Sequence, residues 1–203
     1  MKKFEKTIIT LAVIGIVMKF LLLPGGTLLT IISLSLIMFF YYFFGIGILN
    51  ELPFKQIFDR NTYKDYSLKR IFGSIGAGIT LGAITAGILF KLMFFPGDQI
   101  NLLTGITAGF FVAIVSSIKY AKTKDKLYQN TLQRIIIVGG IGLILFITPR
   151  ISLIKIQFKN HPRYIEAYQH YLEDPANEQN RSRLEIEYRR ATTPQQFHID
   201  ESK

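Results

Sequence analysis

The 203-residue chain contains no cysteine and no tryptophan. The absence of cysteine excludes disulfide bridges, thiolate metal sites and thiol nucleophiles. Charged residues are also scarce, at 19% of the chain against 49% hydrophobic residues. Acidic residues are missing altogether between Glu5 and Glu51. A chain with few charges and long uncharged stretches is typical of a membrane protein.

The sequence also lacks the motifs of common enzyme classes. It has no P-loop, no Gly-rich dinucleotide-binding loop and no HExxH zinc motif, and no Ser/His/Asp arrangement with a recognisable context. His161, His170 and His198 are spread over a polar tail, which favours surface positions over metal ligation. We therefore predict a protein that is not an enzyme, with no catalytic residue, no cofactor and no metal site.

The positive charge of the chain lies mostly in its apolar part. Residues 1–149 hold 15 Lys and Arg against 6 Asp and Glu, whereas residues 150–203 hold 9 against 8. A net charge of +10 can indicate nucleic-acid binding. Here the basic residues stand at the ends of apolar runs, which is the pattern of cytoplasmic loops in membrane proteins. We therefore predict a lipid bilayer, and not nucleic acid, as a partner of this chain.

Five apolar segments indicate the fold. A membrane-spanning helix needs about 20 apolar residues, with roughly 17–25 tolerated. The first four segments meet this length, and the fifth, with 13 residues, is marginal. Because a backbone in lipid must satisfy its own hydrogen bonds, each segment should be a helix. No small-residue cleavage site follows the first segment, so we expect an anchor and not a cleaved signal peptide. The segments cover residues 7–23, 27–49, 71–95, 100–118 and 135–147.

The first and third segments end in the same motif. Residues 15–25 and 87–97, which begin 72 positions apart, both read Gly-Ile-x-x-Lys-x-x-x-x-Pro-Gly. Proline cannot continue a helix interior and glycine accepts a turn, so each motif predicts a tight helical hairpin. We predict an all-α integral membrane protein of two tandem, parallel-repeat hairpins. The predicted turn residues are Pro24, Gly25 and Gly26 in the first copy and Pro96, Gly97 and Asp98 in the second.

The links between the segments indicate the topology. Basic residues dominate both long links and the first six residues, which places the N-terminus and both links in the cytoplasm and both turns outside. We predict an inner-membrane protein with the following parts: a first hairpin at 1–49, a basic cytoplasmic link at 50–70, a second hairpin at 71–118, a second basic link at 119–134, a fifth membrane helix at 135–149 and a polar helical tail at 150–203.

The fifth segment determines on which side of the membrane the tail lies. Basic residues both precede and follow this segment, so the positive-inside rule gives no clean orientation. A spanning helix places the tail in the periplasm, which we favour because the segment is strongly apolar; a re-entrant or interfacial helix leaves it in the cytoplasm. Within the tail, Tyr164, Tyr168 and Tyr171 share one helical face. Asp174 followed by Pro175 predicts the start of a second helix.

Small residues recur at every fourth position in the second predicted hairpin. This spacing lets helix backbones approach closely. The stripes could pack within one chain, between the subunits of a homo-oligomer or against another membrane protein. The predicted packing residues are Ser74, Gly78, Gly82 and Ala86 on the third segment and Gly105, Gly109, Ala113 and Ser117 on the fourth.

Lys19 and Lys91 are the only charges well inside the predicted spans. An intramembrane charge is by default a functional hypothesis, and Asp98 lies near enough to the turns to meet either lysine. The alternative is snorkelling, because each lysine stands five residues before its proline, about 7 Å from the outer end of its helix. We favour snorkelling because position explains both lysines, while the repeated spacing leaves a functional role open.

The lysine and Pro-Gly ending of an apolar helix, followed by a second apolar helix, resembles the N-terminal membrane region of GldL. GldL is the inner-membrane subunit of the gliding-motility and type IX secretion motor. The resemblance covers about a third of the chain. The matching residues are Lys19, Pro24, Gly25, Gly26 and Thr27 in the first copy and Lys91, Pro96 and Gly97 in the second.

The GldL resemblance implies a multimer of two-helix subunits that surrounds helices of a partner protein and uses proton motive force. In that family a glutamate in the second helix is thought central. By our alignment this position holds Ile37 in the first copy and Ala108 in the second. The resemblance therefore favours a GldL-related paralogue that has the hairpin scaffold and lacks the proton-coupling group.

Three functions follow as hypotheses. The leading one is a structural or accessory component of an envelope assembly. The second is a small transporter or channel in which Lys19 and Lys91 line an anion path, on one internal polar face with Thr30, Asn101 and Thr104. The third is a membrane-anchored regulatory protein whose tail binds a soluble partner.

Overall fold

The computed structural model describes residues 1–192, which are helical and contain no strand; His198 lies outside the described residues. This confirms the predicted all-α class. The helices are α1 (Lys2–Phe20), α2 (Gly26–Leu49), α3 (Phe54–Ile57), α4 (Leu68–Leu92), α5 (Asp98–Thr123), α6 (Lys126–Ile147), α7 (Arg150–Gln157), α8 (Pro162–Glu173) and α9 (Glu178–Thr192), with a short 3₁₀ helix at Arg60–Tyr63.

Four of these helices, α2, α4, α5 and α6, are long and apolar enough to cross a membrane by length and composition. Helix α1 is not among them, because it starts at Lys2 and carries charges at both ends, including Glu5 and Lys19. The prediction that the first apolar segment spans on its own composition is therefore not confirmed. Neither is the predicted total of five spanning helices.

Helix α6 is longer than the fifth apolar segment that predicted it. It starts at Lys126, nine residues before Ile135, because Asp125 caps it by accepting a hydrogen bond from the Leu127 amide at 2.9 Å. Helix α5 in turn continues to Thr123. The predicted basic link at 119–134 is thus mostly helix, and only two residues separate α5 from α6.

Helix α4 lies at the centre of the bundle and packs against α2, α5 and α6, while α1 packs against α2. Its residues Leu81 and Ile84 are fully buried, as are Leu49 on α2 and Leu102 on α5. Van der Waals packing of such side chains and close approach of the helix backbones stabilise contacts between helices in lipid.

The small-residue stripe of α4 makes close contacts within the chain. A Cβ atom at Gly78 would lie 2.7 Å from the Tyr41 carbonyl oxygen and 2.8 Å from the Cα of Gly45 on α2. A Cβ at Gly82 would lie 2.5 Å from the ring of Tyr42, also on α2. Ser74 is buried and accepts a hydrogen bond from Asn50 at 3.0 Å, and Ala86 is half-buried. Intrachain packing therefore accounts for this stripe.

Only part of the small-residue stripe on α5 contacts another helix. A Cβ at Gly105 would lie 2.9 Å from the backbone nitrogen of Ile84 on α4, and one at Gly109 would lie 3.1 Å from the Ile84 side chain. Ala113 is half-buried against the core, whereas Ser117 is exposed. The first half of the stripe thus holds α5 against α4, and the contact ends before Ser117.

The tail forms three helices, α7 to α9, which we call the cap. Two helices were predicted there, with the second starting at Asp174-Pro175. That start is wrong: Asp174 terminates α8, and α9 begins at Glu178. Asn177 takes the capping role, because its side chain accepts hydrogen bonds from the Gln179 amide at 2.9 Å and from the Asn180 amide at 3.3 Å.

Candidate functional site

The two hairpin turns have the same backbone geometry. Leu22 and Phe94 both adopt a left-handed conformation, with φ of 55° and 57°, and Gly25 and Gly97 follow with φ of 80° and 82°. The Leu22 amide bonds to the Lys19 carbonyl at 3.0 Å, and the Leu23 amide bonds to the Met18 carbonyl at 2.9 Å. This is a Schellman motif, which ends α1 at Phe20, before the proline is reached.

The second turn repeats this pattern. The Phe94 amide bonds to the Lys91 carbonyl at 3.3 Å, and the Phe95 amide bonds to the Phe90 carbonyl at 2.9 Å. A non-glycine residue in the left-handed region costs roughly 1–2 kcal/mol, so a Schellman motif usually has glycine there. Here the position holds Leu or Phe, so contacts of that side chain with other parts of the protein must offset the backbone strain.

The cap supplies that compensation. Leu22 and Phe94 both pack against a buried cluster that includes Ile154 on α7, Phe158 just after it and Tyr164 on α8. We call the end of the bundle formed by residues 21–25 and 93–97 the turn face. The cap covers the turn face, and its apolar core is completed by the two strained side chains.

Lys91 is held on the turn face by an ion network. Its side chain is fully buried, and its Nζ lies 3.4 Å from Oδ2 of Asp98. The other carboxylate oxygen of Asp98 accepts a hydrogen bond from Arg150 of the cap at 2.7 Å. Arg150 also donates to the Phe95 carbonyl at 3.2 Å. Within residues 1–192, the Lys91 ammonium makes no hydrogen bond, so the ion pair with Asp98 is its compensation for burial.

Lys19 is held by a neutral partner. Its Nζ donates to Gln157 Oε1 at 2.8 Å, and Gln157 Nε2 donates back to the Lys19 carbonyl at 3.3 Å. The same ammonium lies 4.8 Å from the ring centroid of Phe94, within the range of a cation–π interaction. Lys19 therefore links the first hairpin to the turn of the second hairpin and to the cap.

The two lysines differ because the residues seven positions later differ. After Lys91 this position holds Asp98, which supplies a carboxylate; after Lys19 it holds Gly26, which has no side chain. Gly26 instead allows close approach, since a Cβ there would lie 2.5 Å from the Lys19 backbone nitrogen. The ammonium of Lys19 is left to Gln157, a residue 138 positions away.

The favoured snorkelling interpretation is wrong for both lysines. Snorkelling places the ammonium group at the lipid headgroups, whereas Lys19 is 5% exposed and Lys91 is 0% exposed. The predicted internal polar face is also not assembled. Thr104 is exposed, and the Thr30 hydroxyl donates to the Gly26 carbonyl of its own helix at 2.8 Å. The expected proximity of Asp98 to Lys91 is present.

The cap contains an aromatic cluster rather than a polar site. Tyr164 packs on Phe158, with ring centroids 4.2 Å apart, and burial raises the pKa of its phenol above the usual value. His161 contacts the Phe158 ring, and His170 is half-exposed between Glu166 and Glu173. Over the described part of the chain, no group of His, Asp and Glu is arranged to hold a metal ion.

A buried ion pair at the opposite end of the bundle was missed by sequence reasoning. Glu5 on α1 accepts hydrogen bonds from Arg134 on α6 at 2.8 and 2.7 Å, and a third from the Tyr41 hydroxyl on α2 at 2.9 Å. Both charges stand at the ends of apolar segments, so the sequence pattern predicts loop positions for them. Their spacing of 129 positions carries no sequence signal.

The connecting loops at this end are also tied by polar contacts. Arg70 forms an ion pair with Asp125 and donates to Asn50 at 2.8 Å. Asn130 on α6 donates to the Leu49 carbonyl at 3.1 Å and to Glu51 at 2.8 Å. Hydrogen bonds from Lys2 and then Asn130 lower the pKa of the Glu51 carboxyl. These bonds hold the ends of α2, α4 and α6 together.

Comparisons with known proteins add no family to this description. No protein-family model matches the chain, and no curated protein or solved structure shows significant similarity to it.

Proposed function

We propose that this chain is a non-enzymatic, multi-pass inner-membrane protein of the GldL-related hairpin type that serves as a structural or accessory component of an envelope assembly. The observation that carries the proposal is the packing of the cap onto both turns at once. Leu22, Phe94, Gln157 and Arg150 join the two hairpins and the cap into one unit, as a scaffold that presents a surface requires.

A duplicated hairpin accounts for the matching turns. The two copies share the motif Gly-Ile-x-x-Lys-x-x-x-x-Pro-Gly, and each places a strained apolar residue three positions after its lysine. The positions aligned with the GldL glutamate are Ile37 and Ala108. Without an acid there, the scaffold role of the family is retained in this proposal and the proton-driven role is not.

The proposed orientation places the cap in the periplasm. The end of the bundle opposite the turn face holds the basic segments 50–70 and 119–134 and the basic N-terminus, and such segments are retained in the cytoplasm. The cap lies at the other end of the bundle, with the turns. This arrangement requires α6 to cross the membrane, as its length and composition permit.

The burial of Lys19 and Lys91 favours the scaffold over an anion transporter. An anion path needs ammonium groups that a solute can reach, and both groups are enclosed by protein. A partner-binding cap remains part of the scaffold proposal, because Leu172 and Ile186 on the cap are 45% and 48% exposed. The proposal places a partner contact at these two side chains.

Site-directed photo-crosslinking in native membranes tests the scaffold proposal. A photoreactive residue at Leu172 or Ile186 is expected to give discrete adducts with envelope proteins, identified by mass spectrometry. The same residue at Phe72, which is exposed on α4, provides the control and should give mainly lipid adducts. Adducts at the cap that are no different from those at Phe72 would overturn the proposal.

A further inference from the structure

An apolar groove lies at the end of the bundle opposite the turn face. It has a volume of about 520 Å³. Its walls come from the start of α1, the part of α2 from Leu36 to Phe44 and the short helix α3, and most of its lining is aromatic. The residues used below are Phe4, Leu36, Phe39, Phe44 and Phe54.

The groove has the direction and length of one lipid leaflet. From Leu36 to Phe44 it follows α2 for eight residues, a rise of about 12 Å. A single leaflet contributes about half of a hydrocarbon core that is roughly 30 Å thick. The groove opens on the lipid side, because Phe4, Phe39 and Phe54 are between 53% and 55% exposed. It therefore runs from the interface towards the bilayer centre.

Two residues that line the groove, Phe4 and Phe54, each have a lysine as a sequence neighbour. Lys3 precedes Phe4, Lys55 follows Phe54, and both lysines are exposed. Neither side chain forms an ion pair with any part of the chain that the structure describes. Of the nearest acids in sequence, Glu5 is engaged by Arg134 and Tyr41, and Glu51 by Lys2 at 2.7 Å. Asp59, four residues after Lys55, accepts a hydrogen bond from the Asn61 amide at 2.9 Å.

We propose that this groove binds an anionic phospholipid, with one acyl chain between the aromatic walls and the phosphate at Lys3 and Lys55. An apolar slot whose lining residues Phe4 and Phe54 stand next to exposed lysines in the sequence matches both parts of such a lipid. Basic residues near the surface of an anionic leaflet attract its headgroups. The site is distinct from the turn face and the cap, so it can fail without affecting the proposed scaffold function.

The test is native mass spectrometry of the full chain, purified in detergent and titrated with phosphatidylglycerol or phosphatidylcholine. The unaltered chain should retain phosphatidylglycerol preferentially. The double variant Lys3→Gln/Lys55→Gln should lose at least about fivefold of that preference. The matched control Lys119→Gln/Lys122→Gln removes two exposed lysines from the same end of the bundle and should keep the preference.

A second variant tests the acyl chain. Leu36→Trp fills the groove from a side chain that is 45% exposed, and it should reduce retention of both lipids. An equal loss of preference in the two lysine variants would overturn the proposal, since it would mean diffuse attraction. Unchanged lipid retention in Leu36→Trp would also overturn it. So would a dimer of the unaltered chain that Leu36→Trp abolishes, because a second copy would then occupy the groove.

Discussion

Asp98 lies between two cations that come from different parts of the chain. It pairs with Lys91 of the second hairpin at 3.4 Å and with Arg150 of the cap at 2.7 Å. A buried ion pair contributes little net stability compared with an apolar pair, but the loss of one partner leaves an uncompensated buried charge. Asp98 is itself buried, at 4% exposed, so its carboxylate affects stability mainly as the counter-charge of Lys91.

Asp98→Asn is expected to lower the stability of the purified protein by about 3 kcal/mol, because Lys91 then remains buried without a counter-charge. Thermal unfolding in detergent, followed by circular dichroism, measures the effect. Asp65→Asn removes an exposed carboxylate and should leave the midpoint unchanged. The double variant Lys91→Met/Asp98→Asn should recover much of the loss, and a double variant as unstable as Asp98→Asn would contradict the pairing.

Leu22 and Phe94 have strained backbones whose side chains pack on the cap. In a free turn, replacement by glycine relieves about 1–2 kcal/mol of strain. Here it also removes the apolar contact that holds the cap, so Phe94→Gly should speed limited trypsin cleavage within α9 several-fold. Lys124 has the same conformation, with φ of 54°, and is exposed. Lys124→Gly is the control, and faster cleavage in it would argue against a specific contact.

At the scale of the helices, the bundle is organised by the close approach of α4 to α2. Gly78 and Gly45 bring the two backbones together, and Ile84 on the same helix meets Gly105 and Gly142. Close backbone contact between small residues is a main source of association for helices in lipid. Helix α4 therefore acts as the axis against which the other helices pack.

Gly78→Ala should separate α4 from α2, because the added Cβ would lie 2.7 Å from a backbone oxygen and 2.8 Å from a backbone Cα. A backbone cannot yield as a flexible side chain does, so a loss of roughly 1–3 kcal/mol is expected. Gly76→Ala on the same helix meets nothing within 4 Å and should be neutral or slightly stabilising. Thermal unfolding in detergent compares the two, and equal midpoints would refute the close contact.

The local features of the helices were predictable, whereas the contacts between distant helices were not. The apolar runs predicted α2, α4 and α5 to within a few residues of their ends, except that α5 continues into Lys119–Thr123. The same approach started the fifth segment too late, at Ile135 and not at Lys126, because Arg134 and Asn130 were interpreted as loop residues. Their partners, Glu5 and Leu49, lie 129 and 81 positions away, and only the folded chain brings them together.

The turn site shows the same division between local and distant contacts. The motif around Lys19 and Lys91 was recognisable because its residues are close in sequence. Asp98 was expected near either lysine, and the structure pairs it with Lys91. The contact of Lys19 with Gln157 could not be predicted, because no sequence pattern distinguishes Gln157 from the other polar residues of the tail. The strained conformation of Leu22 and Phe94 was also not predicted. The Pro-Gly pair predicts that each helix continues up to the proline, whereas each helix ends earlier, at Phe20 and Leu92.

At the scale of the whole molecule, α6 decides on which side of the membrane the cap lies. The cap packs on the turn face, and the segment that holds Asp65 lies at the other end of the bundle, between α2 and α4. If α6 spans the membrane, these two regions must be separated by the bilayer. Because the chain contains no cysteine, single cysteines can report on each region without a background.

Ser182→Cys on the cap and Asp65→Cys at the opposite end place one thiol at an exposed position in each region. In spheroplasts, a membrane-impermeant maleimide should label Ser182→Cys directly and Asp65→Cys only after the membrane is permeabilised, because basic segments are retained in the cytoplasm. The reverse labelling pattern would be consistent with the fold but would overturn the proposed orientation in the membrane. Labelling of both thiols from one side would contradict a spanning α6, since a bundle that crosses the bilayer cannot present its two ends to the same compartment.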